Sequence, residues 1–148
     1  MKKVLFSLII ACTLSVSFCF AQIEKQNDIP YSSIMYVPSV DGSSAWVTFT
    51  VTKHTKIYLL SIISGEESIK SSHLRNINKE MRIDNKSVTI VRAGSTMLMG
   101  KYNWILGAGT VVNCVFSKDP AFVATKIEFK QTNGGQSFLY NLETKEWE

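Results

Sequence analysis

The sequence predicts a mainly β protein: a single small antiparallel β-sandwich with at most one short helix. Three observations predict it. Ala45 to Thr52 alternates, with Ala45, Val47, Phe49 and Val51 on one side and Trp46, Thr48, Thr50 and Thr52 on the other. Ile57 to Ile63 and Thr110 to Phe116 are apolar on both sides, which suits strands covered on both faces. Short runs of this kind, roughly seven to nine of them, recur between turn residues at the spacing of sandwiches and small barrels. A closed β-barrel is the alternative that the same spacing allows.

The chain opens MKKVLFSLIIACTLSVSFCFA. Lys2 and Lys3 precede an apolar stretch too short for a membrane span, and small residues stand at Cys19 and Ala21 where a signal peptidase reads. Residues 1–21 are therefore expected to be a signal peptide, and 22–148 a single β-rich domain with no transmembrane span after cleavage. Export to the periplasm or beyond follows from that expectation. Losing Lys2 and Lys3 lowers the net charge from +4 to +2. Two of the 3 cysteines leave as well, so Cys114 has no internal partner and stability must come from packing.

Residues 22–31, QIEKQNDIPY, are polar and read as a flexible tether. Ile34 to Val37 is expected to be a short edge strand closed by Pro38. An Asp41-Gly42 turn then leads into Ala45 to Ser64, expected to be a central β-hairpin with its tip at Lys53-His54-Thr55. Within 64–81, Ser64 and Glu67 have capping-box spacing, and Leu74, Ile77 and Met81 recur at helical spacing. A helix of about three turns is the expectation there; an extended strand is its rival, because serines and asparagines weaken the helix. Beyond it, Asp84-Asn85-Lys86 reads as a turn before an alternating Ser87 to Arg92. Thr96 to Leu106 is one interrupted strand or two short ones around Gly100, and Gly107-Ala108-Gly109 is a turn. Phe122 to Phe129 and Gln136 to Leu142 face each other across Thr132-Asn133-Gly134-Gly135, the clearest hairpin signal in the chain.

Motifs for chemistry are scarce. His54 and His73 have no ligand-type neighbour at helical spacing, so no metal site is expected. Cys114 lies among Val111, Val112, Val115 and Phe116, the setting of an inert core thiol. No G-x-S-x-G elbow occurs, and Gly107-Ala108-Gly109 lacks the third glycine of a dinucleotide fingerprint. No cofactor and no catalytic residue are assigned. The modest charge and the few aromatics among the basic residues speak against nucleic acid.

Two features suggest recognition instead. Trp46 sits on the polar side of its strand, where a large amphipathic ring can anchor a partner. Lys70 to Arg92 holds six basic residues, with Arg75, Lys79 and Arg82 near its centre, against Glu80 and Asp84. Trp46, Arg75, Lys79 and Arg82 are the candidate partner contacts. The favoured function is a small exported binding or interaction module without enzymatic activity, whose partner is an extracytoplasmic protein, a glycan or another anionic surface ligand. A barrel carrying a small apolar ligand is the alternative. A hydrolase without a recognisable motif is the weaker one.

Overall fold

Along Ser44–Val51 (β2) the expected alternation holds: Ala45, Val47, Phe49 and Val51 are fully buried while Trp46 faces outward. The computed structural model describes residues 28–83 and 90–148. The expected signal peptide, most of the tether and the Asp84-Asn85-Lys86 turn lie outside the described residues. β2 is flanked by Tyr31–Pro38 (β1) and by a strand at Val111–Ser117, both antiparallel to it. β1 is the expected edge strand, closed by Pro38.

The chain does not turn back on itself after β2, which corrects the expected central hairpin. Thr55–Ile57 (β3) and Leu59–Ser64 (β4) follow, and neither pairs with β2. Ile57 pairs with Trp104 instead, and Val51 pairs with Tyr31. The physical reason lies in the dry sides of the two arms. Side by side they would line one sheet and still need a cover; in different sheets they cover each other. The glycine-free tip at Lys53-His54 forms a corner that lets the chain cross.

The expected helix is also absent. Glu67–Lys70 (β5) folds back on β4 with Ser64 and Glu67 as cross-strand partners, and Gly65 takes a φ of 58° at the tip. His73–Asn76 (β6) and Met81–Ile83 (β7) come next and belong to different sheets. The separation of three residues between Ser64 and Glu67 serves a tight hairpin as well as a capping box, and the glycine between them decides for the hairpin.

Ile90–Val91 (β8), Thr96–Leu98 (β9) and Trp104–Leu106 (β10) are short. Gly100 breaks the chain between β9 and β10, as expected, with a φ of 80°. Val111–Ser117 (β11) is interior to its sheet, between β2 and β6, as expected, but it is not covered on both faces: Val111, Asn113 and Val115 on its outward side are only half-buried. Lys126–Lys130 (β12) and Ser137–Asn141 (β13) form the expected hairpin across Thr132 to Gly135.

Three antiparallel sheets result, in the orders β1-β2-β11-β6-β9, β3-β10-β7-β8 and β13-β12-β4-β5. None closes on itself, so the barrel alternative is set aside for a sandwich-like fold with no helix among the described residues. One core joins all three sheets, built from Val47, Phe49, Leu74 and Phe116 with Leu60, Ile62, Phe129, Trp104 and Leu106. Phe49 meets Phe129 edge-on at 5.1 Å, and Tyr31 stacks on Phe129 at 4.6 Å. Such aromatic pairs add about 0.5–1.5 kcal/mol beyond their buried area. The Tyr31 hydroxyl donates to the Lys56 carbonyl at 3.1 Å, tying β1 to the crossing segment. Burial pushes the Tyr31 phenol well above its ordinary range, so this donor keeps its proton.

Candidate functional site

The inward side of the five-stranded sheet is sealed; its outward side is not. Register fixes which residues meet there. Val37 pairs with Trp46, Trp46 with Val115, Val115 with His73, and His73 with Leu98. These five residues form one row running across all five strands. A second row beside it runs Met35, Thr48, Asn113, Arg75, Thr96. Successive strand residues leave opposite faces, and the intervening Val47, Leu74 and Cys114 are fully buried, so both rows point away from the core.

The first row is apolar apart from His73, and three of its members are substantially open: Val37 at 48%, Trp46 at 36% and Leu98 at 63% exposure. Met35 in the second row is 58% exposed. A patch of apolar side chains drawn from several strands differs from scattered exposed residues, which are ordinary. In the second row the Asn113 side-chain amide donates to the Thr48 hydroxyl at 2.8 Å, which holds both in place. The Arg75 side chain makes no ion pair and no hydrogen bond with any described residue, and the residue is exposed, so its guanidinium is offered to solvent.

The structure thus puts Trp46 and Arg75 on one face, two strand spacings apart, roughly 10 Å across the sheet. It does not add the other two candidates to them. The Lys79 ammonium donates to the Ala108 carbonyl at 2.7 Å and pins the Gly107-Ala108-Gly109 turn. Arg82 lies on β7, in the sheet with β3, β10 and β8. Arg75, Lys79 and Arg82 thus sit on three different stretches: β6, the segment after it, and β7 in another sheet. Sequence reasoning missed Val37, His73, Val115 and Leu98. Parity marked Trp46 as outward, but alignment of the other four depends on registers between strands remote in the chain.

Other groups are committed elsewhere. Burial pushes the Cys114 thiol far up, which removes the thiolate a nucleophile needs. No group of three or more His, Cys, Asp or Glu side chains converges among the described residues. An open depression of about 660 Å³ lies between the β4–β5 hairpin and the Asp119–Phe122 turn, with Glu67 and Asp119 on its wall. Asp119 accepts from the Ala121 amide at 2.8 Å, so that carboxylate serves its own turn.

Fold and face together define the class: a sandwich-like protein, all-β over its described residues, with an open sheet face that carries an apolar row beside a polar one. No family model matches the chain, and no curated protein matches it.

Proposed function

We propose that the protein is an exported, non-enzymatic binding module that meets its partner over the outward face of the β1-β2-β11-β6-β9 sheet. The observation that carries this reading is the row from Val37 through Trp46 to Leu98, which crosses all five strands and is apolar on every one but β6, where His73 stands. Export rests on the basic, apolar and small-residue pattern of Met1 to Ala21.

Recognition by a face fits the state of the sheet edges. An unpaired edge would recruit another strand, and the edges formed by β1, β13, β5, β3 and β9 are blunted. β1 carries a bulge between Ser32 and Met35, with Ser33 at a φ of 52°, and ends at Pro38. Trp147 bridges to Tyr140 along β13. Strand β5 has Glu67 and Lys70, and β3 and β9 are three residues long. Addition of a partner strand finds little backbone to join.

Neighbouring residues on β2 provide the test. Trp46→Ala should change stability by less than about 1 kcal/mol, because the ring is outside the core, while weakening partner capture by about 2 kcal/mol, some thirtyfold. Phe49→Ala, three residues on and fully buried, should cost about 3–5 kcal/mol of stability. Denaturant melts and pull-down from the native envelope measure both. A Trp46→Ala protein as unstable as Phe49→Ala, or one that captures its partner at full strength, refutes the reading.

A further inference from the structure

We infer that the partner is a polypeptide that lays apolar side chains against Trp46 and sets a carboxylate on Arg75. This inference rests on the outward sheet face being the binding surface and goes on to name the chemistry of its occupant.

Composition favours a polypeptide. The outward residues of the five strands include Trp46, Met35, Leu98 and Arg75, and no Asp, Glu or Lys. Protein interfaces are enriched in aromatic residues, Met and Arg, and depleted in Lys, Glu and Asp at their centres. A glycan would seek broad aromatic planes for its rings, and among the outward residues of these strands Trp46 is the one Phe, Tyr or Trp; Val37, Met35 and Leu98 offer no plane.

Charge then selects among polypeptides. Covering Arg75 without a counter-charge would bury an unpaired guanidinium, which is strongly unfavourable. A carboxylate can meet the guanidinium fork with two parallel hydrogen bonds. A second copy of this chain, docked by the same face, would bring another Arg75 and no acid, because a two-fold interface repeats one patch on both sides. The complementary occupant is therefore a different chain, apolar where it meets Trp46 and acidic where it meets Arg75.

A random peptide library displayed on phage and selected on the full protein tests this directly. Enriched peptides should share Asp or Glu beside aliphatic or aromatic residues. Arg75→Glu should weaken them roughly tenfold or more, and reselection on that variant should exchange the acid for Lys or Arg. Trp46→Ala should weaken binding to both selections. Far-UV dichroism and melting of the two variants establish that they fold. Peptides that depend on Trp46 but carry no acid, and ignore Arg75→Glu, overturn the inference and leave the face as the binding surface. Peptides indifferent to both substitutions overturn the face as well. Absence of enrichment overturns the polypeptide partner; a dimer in sedimentation that Trp46→Ala dissociates overturns the different chain and makes the occupant a second copy; glycan-array binding lost in Trp46→Ala moves the occupant to a sugar.

Discussion

At Asp41 three donors converge on one carboxylate. The Ser39 hydroxyl donates at 2.6 Å, the Ser43 hydroxyl at 2.8 Å and the Ser43 amide at 3.1 Å. Led by Ser39, these bonds hold the Asp41 carboxyl down at about 2. A folded value below the unfolded one means that the stabilisation is complete above the ordinary carboxylate value, about 3.9, and is lost as pH falls through the folded value. Asp41→Asn should therefore flatten the decline in stability between about pH 4 and pH 2, leaving the share of Glu148, which is lowered first by Lys126 and then by Asn141. Carbon-detected titration of the carboxyl, with melts across that window, measures it. An ordinary midpoint at Asp41 would show that the serines do not engage it.

Turns that bear strain distinguish one element from another. Gly134, at the tip between β12 and β13, has a φ of 73° and nothing near an added Cβ. Gly134→Ala should cost about 1 kcal/mol, from backbone strain alone. Gly42 has the same φ of 73°, but an added Cβ would come within 3.1 Å of the Pro120 backbone. Gly42→Ala should cost about 2 kcal/mol or more, since the clash adds to the strain. Denaturant midpoints rank the two, and equal costs would refute the close approach. The β12–β13 hairpin was legible in the sequence because Asn133-Gly134-Gly135 acts locally. So was the outward placement of Trp46. The pairing of β2 was not, because an alternating strand looks the same whether its neighbour lies beside it or opposite it. Arg75 was legible only as one of several basic residues. Arg82 falls in another sheet by its strand, and Lys79 is tied to the Ala108 carbonyl, neither of which a run of basic residues in the sequence reveals.

At the scale of the molecule, the sheets are joined by pairs far apart in sequence. β2 pairs with β11, and β4 with β12, while β3 pairs with β10. Folding that depends on such distant pairings is slow, in the range of milliseconds to seconds for all-β domains. Stopped-flow refolding followed by tryptophan fluorescence should fall in that range, with Trp104 and Trp147 reporting as they enter the core and its margin. Refolding within microseconds would contradict this topology.

The passage of the chain from β2 through β3 to β4 also sets an order in time. Val47, Phe49 and Val51 leave the ribosome long before Phe129, the ring that closes over Phe49. Until β12 arrives, the layer opposite the dry side of β2 is incomplete: β3 and β4 have followed, but the strand that carries Phe129 has not. A nascent chain in that condition is sticky and not yet able to protect itself. Holding it unfolded and escorted until its last strands are made would keep it from clumping, and would keep it threadable through a narrow channel over the same interval.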